Sequence, residues 1–182
     1  EKGSPAPLFR AVSRPLLRAT ALRGVPSSEC LTYANKLLCK ESLDSMFVTV
    51  FYGIYNYKTG IMDYTNAGHN PPYILRQNHH IETLPLTPNF IVGVFDDISF
   101  ENGMLKLETG DTLLMYTDGV TEAFNEEREQ FSENRLQNAL KTLPENPQTK
   151  DVVTEILRQV KNFSGNYPQS DDITLLSLQR TE

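Results

Sequence analysis

The chain has 182 residues, of which 39% are hydrophobic and 22% are charged, and these values are typical of one globular domain with its own core. The formal net charge is −6, and lysine and arginine form no basic stripe, which argues against nucleic acid as a partner. The sequence contains neither a signal-like apolar segment nor an apolar run of about 18 residues. We therefore expect a cytoplasmic chain that makes no membrane contact itself, and a membrane-bound parent protein remains compatible with it.

Two helices are predicted at the start of the chain. Apolar residues recur at three-and-four spacing over residues 5–22, where Pro15 is expected to bend the helix. A second helix is predicted to begin at Ser27 or Ser28, either of which can serve as an N-cap, and to end near Glu41. We expect the two helices to form a hairpin over one sheet.

Short strands separated by turns are predicted for the middle of the chain. In chain order they are Phe47–Tyr55, Ile61–Asn66, Tyr73–Arg76, Ile81–Leu84, Phe100–Glu108 and Thr112–Thr117. We interpret the first four as an antiparallel meander and the last two as a second hairpin, closed by a turn at Gly110-Asp111. The stretch Thr87–Asp97 shows no clear periodicity.

The last third of the chain is predicted to contain two helices and one closing strand. The helices are Phe131–Leu143 and Thr149–Phe163, joined by a linker at Pro144–Pro147. A short loop then returns to a final strand. Strands followed by helices and a closing strand predict an α+β fold with a mostly antiparallel core.

Two aspartates are placed so that they could form a metal site. Asp118 closes one apolar, strand-like run, and Asp171 opens another. If these strands lie antiparallel, the end of one meets the start of the other, so both carboxylates converge at one sheet edge. Magnesium and manganese bind through carboxylate oxygens and water, often with one or two carboxylates per ion.

Each aspartate also has an ordinary structural explanation, because Asp-Gly is a common turn dipeptide and an acidic residue before a strand is often part of a solvated loop. The sequence contains no Gly-x-Ser-x-Gly elbow, no Gly-x-x-x-x-Gly-Lys-Ser/Thr loop and no Gly-x-Gly-x-x-Gly fingerprint. These absences favour metal-borne chemistry and imply no organic cofactor.

The histidines and cysteines are predicted to be structural or solvent-exposed. His69 precedes a Pro-Pro turn, where a loop-anchoring hydrogen bond is favoured over an acid, base or ligand role. His79 and His80 fall in a predicted hairpin tip, where exposed polar residues are ordinary. Cys30 and Cys39 fall on roughly opposite faces of the second helix, so we do not expect them to form a disulfide.

Five segments carry motifs that match one family in order and spacing. They are Met46–Gly53, Asn66–Pro72, Gly110-Asp111, Tyr116–Ala123 and Asp171–Thr174. Together they resemble the PPM-type metal-dependent serine/threonine phosphatases of the stage II sporulation protein E group, and the resemblance covers essentially the whole chain. It implies two mostly antiparallel sheets flanked by helix pairs, an αββα sandwich.

The resemblance also implies a site and a reaction. Asp118 and Asp171 are implied to be catalytic metal ligands, with Gly119 and Asp172 as further members of the metal site. The implied cofactors are two Mn²⁺ or Mg²⁺ ions, which lower the pKa of a shared water and present hydroxide to phosphoserine or phosphothreonine. Gly119 is expected to let the backbone turn tightly beneath the metals.

The implied partners are those of a bacterial signalling protein. The substrate would be a phosphorylated protein of the anti-sigma-factor-antagonist type, the N-terminal helix pair would act as a regulatory switch, and a sensor or regulatory domain would precede the chain in its parent protein. Whether the chain forms a homodimer stays open, as do the physiological substrate and the preferred metal.

Residues 2–9 resemble the family's Gly-Lys-Gly-x-x-Ala segment, which lies well inside the domain. We therefore expect residues 1–182 to be a single domain that starts part-way and lacks the first strands, with a helix pair at 1–44 and the sheet core and its helices at 45–182. The aspartate motifs that precede this segment in the family, one of which bridges the two metals, do not occur in this sequence, which predicts weak or absent turnover. Two alternatives stay open: a catalytically silent signalling or partner-binding module, and a metal-dependent hydrolase of small phosphoesters.

Overall fold

The computed structural model describes residues 15, 18–20, 24–41, 47–78 and 80–182. Within these, the elements in chain order are α1 (Ser27–Glu41), β1 (Val50–Asn56), β2 (Ile61–Ala67), β3 (Tyr73–Leu75), β4 (Ile81–Thr83), β5 (Gly103–Lys106), β6 (Thr112–Tyr116), α2 (Asp118–Thr121), α3 (Ser132–Lys141), α4 (Thr149–Ser164) and β7 (Leu175–Gln179). The chain divides into two compact units, one from Glu1–His69 with Pro85–Lys106 and one from Asn70–Leu84 with Leu107–Glu182.

The first unit contains a three-stranded antiparallel sheet of order β1-β2-β5 and helix α1. Strands β1 and β2 form the predicted hairpin, in which Asn56 Oδ1 accepts hydrogen bonds from the backbone N–H groups of Lys58 and Thr59, and Gly60 adopts a φ of 73°. The core of this unit is apolar. It is formed by residues of the helix, of the sheet and of the loop between β4 and β5: Leu31, Leu38, Ala67, Val92 and Phe100.

Helix α1 begins at Ser27, as predicted, but its first turn is stabilised by a neighbouring strand. The Asp63 carboxylate on β2 accepts hydrogen bonds from the Ser27 backbone N–H at 2.9 Å and from the Ser27 hydroxyl at 2.8 Å. A carboxylate at this position satisfies an otherwise unpaired N–H group and interacts favourably with the positive end of the helix dipole.

The second unit contains a four-stranded antiparallel sheet of order β4-β3-β6-β7, together with α2, α3 and α4. Strand β3 is buried throughout, and β6 is buried at all but one position. Helices α3 and α4 contribute apolar residues at helical spacing to the core, as their sequence pattern predicts: Leu136, Leu140, Val152, Ile156 and Val160.

The prediction of an α+β fold with two antiparallel sheets and flanking helices is confirmed, but two strand pairings differ from it. Strands β5 and β6 do not form a hairpin, because β5 pairs with β2 in the first unit and β6 pairs with β3 and β7 in the second. The four-strand meander is interrupted in the same way, since β2 and β3 belong to different sheets. The turn at Gly110 does form, with a φ of 89°, but it connects strands of separate sheets.

Most of the predicted first helix lies outside the described residues, although residues 15 and 18–20 are helical. Neither the bend at Pro15 nor the helix hairpin is tested. Cys30 and Cys39 are both free thiols, in agreement with their predicted separation on the helix. Among the residues that can be placed, no helix is long and apolar enough to cross a membrane.

Candidate metal centre

The first of the two predicted aspartates follows strand β6. Thr117 is extended, with φ −91° and ψ 162°, and Asp118 then opens the four-residue helix α2. The expected tight turn is therefore a short helical turn. Aspartate is favoured in a first turn because its carboxylate can accept from N–H groups that have no helical partner, and Asp118 Oδ1 accepts from the Gly119 N–H at 3.0 Å.

The second aspartate and its neighbour precede strand β7. This strand runs antiparallel to β6, with Tyr116 opposite Leu175. The end of β6 therefore meets the start of β7, so Asp118 and the Asp171-Asp172 pair share one edge of the second sheet. The antiparallel arrangement predicted from the two apolar runs is confirmed.

Thr117 joins the two acidic segments through both its backbone and its side chain. Its backbone N–H donates to the Thr174 carbonyl at 3.1 Å, and its hydroxyl oxygen accepts from the Thr174 N–H at 3.0 Å. The same hydroxyl donates to the Asp172 carbonyl at 3.1 Å. Three hydrogen bonds from one threonine therefore fix the segment that carries Asp171 and Asp172 against the segment that carries Asp118.

Gly119 is required at this edge because no space is left for a side chain. A Cβ at this position would lie 2.8 Å from the carbonyl carbon of Asp172 and 3.2 Å from the carbonyl oxygen of Asp171. Gly119 is buried within helix α2, which is a single four-residue helical turn. Because Gly119 has no side chain, its backbone can lie close to the backbone of Asp171 and Asp172.

The three carboxylates at this edge are solvent-exposed. Apart from the bond between Asp118 and Gly119, Asp171 Oδ1 accepts from the Asp172 N–H at 2.7 Å, and the Gln169 side-chain amide donates to the Asp171 carbonyl at 2.7 Å. The ion pairs formed within the described ranges involve none of the three aspartates. The edge thus carries concentrated negative charge without a compensating cation from the described chain.

The side chains at this edge are of the type that a hard divalent cation prefers, but they are too few to complete its coordination shell. Every side-chain donor is a carboxylate oxygen, which suits Mg²⁺ and Mn²⁺ and does not suit thiophilic metals. In the part of the chain that the structure describes, no group of three or more His, Cys, Asp or Glu side chains could hold a metal ion. An ion held by Asp118 and Asp171 would therefore complete its coordination with water or other oxygen ligands, as Mg²⁺ commonly does.

Tyr116 lies beneath this edge, and its environment argues against a role as a ligand. Its ring is 1% exposed and stacks on Tyr73 with a centroid separation of 5.7 Å. Burial raises the pKa of the Tyr116 phenol, with a smaller contribution from Tyr73, so the group stays neutral. We assign Tyr116 to the core.

The histidines occupy other parts of the chain. The Asn66 side chain anchors the loop at His69, because its Oδ1 accepts from the His69 N–H at 2.8 Å and its Nδ2 donates to the His69 carbonyl at 2.9 Å. His80 is exposed, with Nε2 4.0 Å from Glu82 Oε1. His79 lies outside the described residues.

Sequence reasoning missed Thr117 and Gln169 as supports of the acidic edge. Thr117 carried a detectable signal, since threonine followed by aspartate is typical of a helix start. Gln169 carried none, because a side-chain amide in a polar loop can satisfy its hydrogen bonds in many ways.

Comparison with known proteins gives a consistent result. The model of the family described as "Stage II sporulation protein E (SpoIIE)" matches residues 2–181. Protein IcfG of Synechocystis is 29% identical over an alignment of 209 residues that includes 99% of this chain and 32% of IcfG. Phosphoserine phosphatase RsbU of Bacillus subtilis is 28% identical over 125 residues, which include 69% of this chain and 37% of RsbU. The chain thus spans about a third of the length of these two relatives.

Solved structures share the fold at lower identity. The PP2C phosphatase domain of SpoIIE from Bacillus subtilis, solved with a fragment of its regulatory domain, matches 98% of this chain and 51% of that one, with a TM-score of 0.80 and 18% identity. The RsbU and RsbW domains of Rv1364c from Mycobacterium tuberculosis match 99% of this chain and 50% of that one, with a TM-score of 0.78 and 22% identity. With the family match covering nearly every residue, the chain belongs to the stage II sporulation protein E family.

Proposed function

We propose that this chain is the phosphatase part of a metal-dependent enzyme that hydrolyses phosphoserine or phosphothreonine on a regulatory protein. The observation that carries the proposal is the acidic edge, where Asp118 and Asp171-Asp172 come together without a cationic partner among the described residues. Membership of the family supports it, as does the description of the relative RsbU as a phosphoserine phosphatase.

Asp118 and Asp171 would hold Mn²⁺ or Mg²⁺, with Asp172 as a neighbouring carboxylate. Bound there, the metal would supply Lewis-acid stabilisation of phosphoryl charge and a water whose pKa is lowered towards neutrality. Two ions are expected by analogy with the family.

The chain's own residues orient the acidic groups. The Gly119 N–H holds one oxygen of Asp118, and the Asp172 N–H holds one oxygen of Asp171, so each carboxylate has a fixed direction. Thr117 fixes the distance between the two segments through its bonds to Thr174 and Asp172. Prealigned ligands lose less freedom when a cation binds, which favours a defined coordination geometry.

The substrate would be a phosphorylated protein of the anti-sigma-factor-antagonist type. The activity would then be cytoplasmic, because such a substrate would be found in the cytoplasm. A regulatory or sensor domain in the parent protein would control it, which is compatible with the limited share of IcfG and RsbU that this chain covers. That residues 1–182 form a single phosphatase domain stays a prediction.

The test is Mn²⁺-dependent release of phosphate from a phosphoserine peptide by the parent protein, because weak or absent turnover is expected of residues 1–182 alone. The variants are Asp118→Asn and Asp171→Asn, with Asp97→Asn as a matched control at an exposed aspartate of the other unit. We expect each edge variant to lose about 100-fold or more, since metal stabilisation of the transition state is worth several kcal/mol, and the control to retain full activity. All variants are checked for unchanged thermal unfolding.

Three outcomes would contradict the proposal. Equal rates in the wild type and both edge variants would remove Asp118 and Asp171 from the metal site. Hydrolysis of free phosphoserine as fast as that of the peptide would favour a small-phosphoester hydrolase, because the two substrates share one leaving group. No hydrolysis of either substrate by the parent protein would favour a catalytically silent partner-binding module.

A further inference from the structure

A pocket lies beside the acidic edge, between the C-terminal half of helix α4 and the loop that leads to Asp171. Its volume is about 350 Å³, which is within the usual range for ligand pockets. We call it the α4 pocket. Its lining is mainly apolar and comes entirely from the second unit, and it includes Ala123, Phe124, Leu157, Val160, Tyr167 and Ile173.

The α4 pocket is continuous with the acidic edge. Gln169 lines the pocket, and its amide Nε2 donates to the Asp171 carbonyl at 2.7 Å. Ile173 also lines the pocket and directly follows Asp172. Asp171 is therefore two residues from a lining residue on either side, which is at most about 7 Å between Cα atoms. A group bound at the acidic edge thus lies next to the pocket.

The walls of the α4 pocket are held by contacts within the chain. The rings of Phe124 and Tyr167 lie with their centroids 6.2 Å apart, and the Tyr167 N–H donates to the Ser164 carbonyl at 2.9 Å. The Ser170 hydroxyl donates to the Glu122 carbonyl at 3.2 Å. The loop is thus fixed both to the end of α4 and to the segment after α2. A pocket formed in advance lowers the entropic cost of binding.

Leu157 gives the pocket an exposed apolar wall. The core-facing residues of α4 include Ile156 and Val160, and Leu157 lies about 100° around the helix from Ile156. Leu157 is 42% exposed, so the core does not account for a large apolar side chain at this position. A single exposed leucine is ordinary, but this one adjoins Phe124 and Tyr167 in one concave surface, which is typical of a recognition site.

The charge of the lining is compatible with an apolar ligand. The described residues that line the pocket include one charged side chain, Lys161, and no carboxylate. Lys161 is exposed, so its ammonium group can stay in water while its methylene stem lies along the wall. An apolar group can therefore enter without burying a charge.

We propose that the α4 pocket binds one large apolar side chain of the phosphoprotein substrate, two to four residues from the phosphorylated serine or threonine. This rests on the proposed function, because a phosphoryl group at the acidic edge fixes where the substrate chain passes. An extended peptide advances about 3.3 Å per residue, so two to four residues span about 7 to 13 Å, enough to reach from the acidic edge into the pocket. The pocket then determines sequence preference, while the acidic edge holds the metal.

The test is Mn²⁺-dependent hydrolysis of a set of phosphoserine peptides by the parent protein. The peptides share a background of small polar residues, and a single leucine is moved through the four positions on each side of the phosphoserine. Asparagine replaces it in the matched controls. We expect leucine at one position, two to four residues from the phosphoserine, to raise kcat/KM about tenfold over asparagine. The gain should be mainly in KM, since the side chain is buried in the ground state and the transition state alike.

Variants of the parent protein assign this preference to the pocket. Leu157→Gln makes the exposed wall polar, so we expect the tenfold preference to fall to about twofold. Leu157→Met has nearly the size of the glutamine variant but stays apolar, and it should retain the preference. Leu86→Gln is the matched control at an exposed leucine of the first unit and should leave the preference unchanged. The readout is the ratio between the leucine and asparagine peptides, because a general loss of stability lowers both rates equally.

The outcomes separate this proposal from the proposed function. Metal-dependent hydrolysis with equal kcat/KM for all peptides would overturn the role of the α4 pocket and leave the phosphatase activity standing. A leucine preference that persists in Leu157→Gln would do the same. No hydrolysis of any peptide would overturn both proposals.

Discussion

The two ends of strand β6 hold carboxylates in opposite electrostatic surroundings. At its start, the Asp111 side chain is 4% exposed and lies 2.6 Å from Arg76 Nη1, and it also accepts from the Glu108 N–H at 2.9 Å. Arg76 bonds to Glu82 as well, through Nε at 3.1 Å and Nη2 at 3.0 Å. A single guanidinium thus pairs with two carboxylates.

At the other end of β6, Asp118, Asp171 and Asp172 are exposed, and their described hydrogen bonds come from backbone N–H groups. Among the residues that can be placed, no lysine or arginine pairs with them. Carboxylates at the start of the strand are therefore structural, because the chain supplies their counter-charge. Those at its end keep their charge available for a cation from outside.

The largest expected effect on stability is at the start of β6, which we call the structural end. Arg76→Met should lower the free energy of unfolding by about 3 kcal/mol, because it leaves the buried Asp111 carboxylate without its cation. Urea denaturation measures the change. Arg158→Met is the matched control, since Arg158 pairs with Glu155 on the exposed surface of α4 and should cost much less. Equal losses in the two variants would show that the Arg76 network is not special.

Gly119→Ala tests the close approach at the acidic end. We expect a loss of about 2 kcal/mol in unfolding free energy, because a Cβ would overlap the Asp172 backbone and neither segment can move easily. Gly53→Ala is the control, since its Cβ would meet side chains and no backbone, with the Met62 Sδ at 3.0 Å and the Phe51 ring at 3.5 Å. A Gly119→Ala variant as stable as Gly53→Ala would mean that the two acidic segments are further apart than described.

Glu82 gives the structural end a pH dependence. Hydrogen bonding to Arg76 is the main reason that the pKa of Glu82 lies below its ordinary value. A depressed folded-state pKa contributes stability that is present above the unfolded pKa of about 4.3 and is lost as pH falls through the folded value. The stability difference between the wild type and Glu82→Gln should therefore still be present at about pH 5 and shrink below about pH 4. A difference that stays constant in acid would contradict this assignment.

The smallest effect on stability is expected at the acidic end. Asp118→Asn should change the free energy of unfolding by no more than about 0.5 kcal/mol without metal, since the residue is exposed and Asn Oδ1 can still accept from Gly119. Removing one of three neighbouring negative charges also relieves repulsion. Urea denaturation in the presence of a chelator measures it, and a loss comparable to that of Arg76→Met would make Asp118 a structural residue.

Periodicity and end signals in the sequence predicted where the helices and strands lie better than they predicted which strands pair. Helix α4 and strand β6 were found because their apolar spacing is strong over the whole element. The β5–β6 hairpin was wrong, because a turn signal at Gly110 is local and does not reveal that the flanking strands belong to different sheets. Strand partners depend on long-range packing that no short window contains.

At the candidate site, too, local features could be predicted from the sequence and long-range contacts could not. Asp118 and Asp171 were predicted as metal ligands from their strand-end positions and from the family resemblance, and this stays a prediction. The antiparallel pairing of their strands is confirmed. The network of Arg76 with Asp111 was not anticipated, because the two residues are 35 positions apart. Thr117 was overlooked because its role depends on Thr174, 57 positions away.

Direct measurement of Mn²⁺ binding by isothermal titration calorimetry tests the central claim, that the acidic end of β6 is left uncompensated in order to bind a metal. The account predicts saturable binding by the wild type and Asp97→Asn, and about tenfold or greater weakening in Asp118→Asn and in Asp171→Asn. Equal affinity in all four proteins would show that Mn²⁺ binds elsewhere and would contradict the claim.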